Sequence, residues 1–309
     1  MKAVLKYFLG LIVAAILLWA FALFLRNHHE PPDRAGQLVL RTKRIELVDR
    51  IRVALASAAE AEKSAVMAIT DKDSQTYADE ARAASARVEQ ARDELAESLK
   101  TGGTQTDQTS LAKFSEDFAE FERIDKDLLE LAVKNTNLKA SSLLFGPAAA
   151  ALNQLDGALA KVAADNSSVS VQGMKIVQLA DAARLGALRI DVLLPPHIAE
   201  ASDAKEDELE AMMSKEDAEV RQSLKALAAL PNLSDNADLA AAVSSYDRFS
   251  EIRAEILKLS RENTNVRSVA ISLNQKRNVM FQCQDSLAAL RSAIEQEPVV
   301  GVPARAGQQ

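Results

Sequence analysis

The chain has 309 residues, of which 48% are apolar, 26% charged and only 4% aromatic, with ten glycines, eight prolines and a formal net charge of −7. So little Gly and Pro beside so much Ala, Leu, Glu, Lys and Arg disfavours a β-sandwich, a propeller or a Gly-rich nucleotide-binding fold and points to helices. The acidic balance lacks the basic footprint of a nucleic-acid binder, one cysteine excludes an intramolecular disulfide, and three histidines leave little for a zinc or iron centre.

The first predicted element is a membrane anchor within residues 1–29. Tyr7 to Leu25 is an uncharged apolar run of about 19 residues, enough to span a bilayer as a helix. Trp19 lies in its outer half, as interfacial aromatics often do, and Lys2 and Lys6 before it favour a cytoplasmic N-terminus. Arg34, Arg41, Lys43 and Arg44 on the far side pull against that orientation. Ala20, Phe21 and Ala22 form a small-x-small site, so a cleaved signal peptide is the alternative. Either reading exports the remaining chain, and no second run of spanning length follows.

The rest of the chain contains a repeat. The stretch Phe121 to Leu138 recurs as Phe249 to Val266, an offset of about 128 residues. Apolar residues at 111, 114, 118, 121, 124, 128 and 131 recur in steps of three and four, the spacing of a helix in a left-handed bundle. Positions 138, 145, 152, 155, 159 and 162 keep that phase, and Val48, Ile51, Leu55, Ala58, Ala65 and Ile69 form a similar stripe. The predicted helices are 38–71, 75–100, 107–134 and 136–163, then 171–194, 199–230, 236–261 and 264–294. Asp107 is the expected N-cap of the third, and Pro195 and Pro196 are expected to stop the fifth. The fold class is therefore all-α: the anchor, a first antiparallel four-helix bundle at 30–165, a second at 166–295, and a disordered tail at 296–309.

Anchor, bundle size and duplicated seam together resemble the extracytoplasmic sensor domain of methyl-accepting chemotaxis proteins. The pattern from Phe121 through Leu128, Leu129 and Leu131 to Asn135, Thr136 and Asn137 is similar to the junction of that domain's third and fourth helices. The resemblance implies non-enzymatic binding of a small organic anion or amino acid, often in a homodimer, and signalling by helix movement. The cytoplasmic signalling parts of that family have no counterpart in this chain, so a sensor-like module is expected to act through another signalling partner. A structural or adaptor protein of the cell envelope is the alternative. No nucleophile–base set supports an enzyme, and no cofactor is expected.

Candidate ligand-binding residues are Lys276, Arg184, Arg189, Asn263 and Asn265. Lys276 falls on the seam where the first copy has Ala148, and a buried lysine is costly unless paired or lifted to solvent. It could meet a carboxylate ligand. If it were merely tolerated, its replacement by Ala or Leu would leave stability unchanged or raise it. Arg184 and Arg189 carry forks suited to carboxylates, but their i,i+5 spacing does not share one face well. Asn135 and Asn137, like Asn263 and Asn265, suit either helix capping or a polar ligand cluster. Cys283 matches Leu155 and reads as a buried thiol. His28 and His29 read as solvated beside the membrane, and His197 as a turn residue. The acids from Asp203 to Glu219 read as a wet helix face rather than a calcium loop, and no metal site is expected.

Overall fold

The computed structural model describes residues 34–297. The apolar run Tyr7–Leu25, His28, His29 and the residues after Glu297 lie outside them. Among the described residues there is no strand, and no helix is long and apolar enough to cross a membrane. The helices are α1 (Arg34–Met67), α2 (Asp71–Leu99), α3 (Gln105–Ala132), α4 (Thr136–Leu143), α5 (Ala149–Asp165), α6 (Val171–Ala199), α7 (Asp203–Ala228), α8 (Ala237–Glu262), α9 (Thr264–Ile271) and α10 (Arg277–Glu295). Five-residue π-helical segments, Leu144–Ala148 and Ser272–Lys276, join α4 to α5 and α9 to α10.

The described residues divide into two compact units. One takes the chain up to Leu55, Ala86–Phe118, and the chain from Gln282. It is a four-helix core. Val48, Ile51 and Leu55 of α1, Leu95 and Leu99 of α2, Phe114 and Phe118 of α3, and Cys283, Leu287 and Ile294 of α10 are all buried. The rings of Phe114 and Phe118 stack at 5.8 Å. Arg44 closes one end of this core. Its guanidinium donates to the carbonyls of Ser98 (2.8 Å) and Thr101 (2.7 Å), satisfying acceptors that the end of α2 leaves open, and pairs with Glu297 at 2.6 Å. The start of α3 is a capping box: the Asp107 backbone N–H donates to Thr104 Oγ1, and Asp107 Oδ2 accepts from the Thr104 backbone N–H. Thr104, not Asp107, is therefore the N-cap, because the helix begins two residues earlier than expected.

The other unit takes Ala56–Ser85 and Ala119–Phe281. Its main core lies among α4–α5, α6, α7 and α8, with Leu144, Leu155, Leu159, Ile190, Leu194, Val220, Leu227, Tyr246 and Phe249 buried together. Gly186 permits close approach of α6 to α7, since a Cβ there would sit 2.7 Å from Val220 Cγ2. Ser170 and Asn236 cap α6 and α8 by accepting from the backbone of Gly173 and Leu239. A smaller cluster joins Ala65, Val66, Ala78, Ala81, Leu128 and Ala132, with Ile271 of α9 packed against it.

The expected partition at 30–165 and 166–295 does not coincide with these units. Helix α5 packs on α6 and α8, and the end of α10 supplies the fourth helix beside the first parts of α1 and α3 and the last part of α2. The fourth helices of the two sequence copies are thus exchanged.

Three local expectations also change. Phe145 and Leu273 are 75% and 61% exposed, while their neighbours Leu144 and Ser272 are buried. A π segment holds one extra residue in its turn and advances the buried face by one position; in the first copy Pro147 supplies no N–H for a regular helix. Ile69 lies beyond the end of α1 and is exposed. Helix α6 runs through Pro195 and Pro196 to Ala199, because burial of Leu194, His197 and Ile198 on one side outweighs two backbone bonds lost on the exposed side.

Candidate binding sites

The duplicated Asn-Thr-Asn motifs meet each other. Asn135 and Asn263 both hold φ at 52°, the left-handed region that asparagine tolerates. Thr136 and Thr264 then open α4 and α9. The Thr136 N–H donates to Thr264 Oγ1, the Thr264 N–H to Thr136 Oγ1, each at 3.1 Å. Likewise the Asn137 N–H donates to Asn265 Oδ1 (3.2 Å) and the Asn265 N–H to Asn137 Oδ1 (3.1 Å). The amides close the set: Asn265 Nδ2 donates to Asn135 Oδ1 at 3.0 Å, and Asn137 Nδ2 to Asn263 Oδ1 at 2.8 Å. Each helix is capped by the other copy. Asn263 Nδ2 further donates to the Glu200 carbonyl. The polar groups that made Asn263 and Asn265 candidates for a ligand are engaged here inside the protein.

Lys276 is 2% exposed. Its ammonium binds the Asp125 carboxylate, donates to the Phe121 carbonyl at 3.1 Å, and sits 3.1 Å from the centre of the Phe121 ring. A cation over a desolvated ring face is attracted by the ring quadrupole. Glu62 of α1, also buried, completes the cluster. Burial raises its carboxyl above the ordinary value, opposed by a hydrogen bond with Ser272 and by the charge of Lys276. Burial likewise pushes the Asp125 carboxyl up, against the pull of Lys276. The lysine is therefore occupied by internal partners that its own sequence neighbourhood does not name. A signal existed: Glu62 lies between Ala58 and Ala65, and Asp125 between Phe121 and Leu128, at seam spacing.

Arg184 and Arg189 do not form one site. Arg184 points to α5, with its Nε 2.7 Å from Asp156 and an Nη1 contact of 3.1 Å to Asp181. Arg189 points to α7 and lies 3.4 Å from Glu216. Beside Arg184, α5 and α6 enclose a groove of about 420 Å³.

His197 is buried rather than a turn residue in solvent. Its Nδ1 lies 2.8 Å from Ser260 Oγ and its Nε2 3.0 Å from Glu210 Oε1. Glu210 is held ionised first by the hydrogen bond from Arg261, so its oxygen accepts and His197 Nε2 carries the proton. Arg261 also reaches Glu206 and Asp207. The acidic stretch is consequently only partly a wet face: Glu206 is fully buried, and Asp217 accepts from the Tyr246 hydroxyl at 2.7 Å. Among the described residues no group of His, Cys, Asp and Glu is arranged to hold a metal ion.

A family model, that of the four helix bundle sensory module for signal transduction, matches residues 42–178. No curated protein and no solved structure matches the chain. The matched segment contains most of α1, all of α2 to α5 and the beginning of α6, the stretch in which seam and Asn-Thr-Asn turn were recognised. Residues 42–178 are thus similar to the four helix bundle sensory modules for signal transduction.

Proposed function

We propose that the chain is a membrane-anchored sensory module, held by Tyr7–Leu25 with its helical part exported, that binds without catalysis and acts through another signalling protein. The match of residues 42–178 to a sensory module for signal transduction carries this reading. The apolar, uncharged character of Tyr7–Leu25 supports the anchor. Self-association through exposed helix faces is part of the proposal, as is the absence of nucleic-acid binding, which the net charge of −7 disfavours.

Two measurements test it. C-terminal alkaline phosphatase should be active in the producing cell, and C-terminal green fluorescent protein should be dark. In-cell photo-cross-linking from exposed positions of α1 and α6 should then recover a membrane-embedded kinase or receptor. A bright cytoplasmic fusion, or cross-links to envelope structural proteins alone, would overturn the sensory reading and favour an adaptor.

A further inference from the structure

We propose that the groove between α5 and α6 is a binding site for a small organic cation, an ammonium group carried on a short branched apolar chain. The walls are Leu152, Leu185 and Leu188, and the floor is Leu155 and Ala187. The two floor residues are buried, whereas Leu185 and Leu188 remain half exposed. An apolar cleft of about 420 Å³ suits a ligand of modest size and leaves its polar end to be recognised at the rim.

The rim sets the charge. Asp156, Asp181 and Asp191 line the groove with a single guanidinium, that of Arg184. Arg184 is already bound to both Asp156 and Asp181. Its Nε and Nη1 are thus committed to the two rim acids, and with three carboxylates to one guanidinium the local balance stays negative. Asp191 differs from the other two acids. It is half-buried against the apolar wall, and burial alone moves its carboxyl, upward, with no compensating hydrogen bond or charge. An acid desolvated without a partner is destabilised in its ionised form, and a cation brought alongside relieves that cost. A bound anion would add to the cost.

The site is particular to this bundle. At the repeat offset, Asn153 and Asp156 of α5 correspond to Phe281 and Gln284 of α10, so the second copy lacks the rim acid. The inference deepens the sensory reading and rests on it for the purpose of binding, but not for the existence of the site.

The test uses the full chain in phosphatidylcholine nanodiscs, with empty nanodiscs as the blank. Saturation-transfer NMR is recorded with isoamylammonium, isoamyl alcohol and isovalerate, which share one apolar body and differ in charge. Isoamylammonium should bind, the alcohol more weakly, and isovalerate not at all. Asp191→Asn should raise the isoamylammonium Kd at least tenfold, and Asp191→Glu should restore most of the loss. Leu188→Ser, at an exposed wall position, should weaken ammonium and alcohol alike. Circular dichroism melts establish that each variant is folded. The proposal is overturned if isovalerate binds as well as the ammonium, if none of the probes binds, or if Asp191→Asn leaves the Kd unchanged. Any of these leaves the topology and cross-linking results standing, so failure of the site is separable from failure of the sensory reading.

Discussion

The hydroxyls of Thr136 and Thr264 lie 3.2 Å apart, and each accepts the backbone N–H that opens the other's helix. A cap normally comes from the residue before a helix. Here it comes from the other copy of the same motif, so the two helix starts depend on each other. Because both threonines are buried, no water replaces a lost partner.

Thr136→Val or Thr264→Val should each destabilise the protein by about 1–2 kcal/mol, the upper range for a lost cap. The double variant should cost somewhat less than the sum, since the hydroxyl–hydroxyl bond is lost in either single variant while the two N–H bonds are lost separately. A double-mutant cycle by urea unfolding reads that coupling, and single variants as stable as the parent would refute reciprocal capping.

The left-handed residues of the motif give a second test. Asn135→Ala and Asn135→Gly both lose the side-chain bonds to Asp71 and Asn265. Only alanine is also strained at φ 52°. Alanine should therefore be the worse by about 1 kcal/mol, and Asn263 should behave likewise. Equal unfolding midpoints for the Ala and Gly variants would contradict the backbone assignment.

Adjacent residues at the first π segment should differ sharply. Leu144→Ala opens a cavity in the core and should cost about 2–5 kcal/mol. Phe145→Ala removes an exposed ring and should stay within about 0.5 kcal/mol. A regular helix in the seam phase read from the sequence predicts the reverse order, so two melting curves decide between the registers.

Lys276 should not be removable at no cost, because its partners stay behind. Lys276→Met leaves Asp125 buried and unpaired and should cost about 3–5 kcal/mol, whereas Lys276→Met with Asp125→Leu should recover most of it. This reverses the sign expected for a lysine merely tolerated on a seam.

Glu62 adds a pH signature to that cluster. Its carboxyl is raised in the folded state by burial, from an ordinary value of 4.5. The folded protein thus holds this proton more tightly than the unfolded chain. Its contribution is complete below 4.5 and is lost as pH rises through the folded value. Glu62→Gln should accordingly stabilise the protein near neutral pH and have little effect at about pH 4. Urea unfolding at the two pH values checks the sign.

The amino-acid sequence by itself determined the helices, their caps to within a few residues, the duplication and the likeness to a sensory bundle, because these depend on local spacing. Val48, Ile51 and Leu55, or Leu111, Phe114 and Phe118, are buried as their three-and-four steps require. Lys276 was visible as a charge on a seam for the same reason. Tertiary structure alone decided who meets whom. Helices α5 and α10 carry matching apolar phases, so either could complete either bundle, and nothing in their own stripes chooses α6 and α8 as the neighbours of α5. The exchange also brings Thr136 to Thr264, across a sequence separation of 128, and Asp125 to Lys276, across 151. One extra residue in each π turn then exposes Phe145 and Leu273 in place of Leu144 and Ser272. Local pattern specifies an apolar face, while pairing among near-identical faces is settled by the polar groups that must find partners once water is excluded.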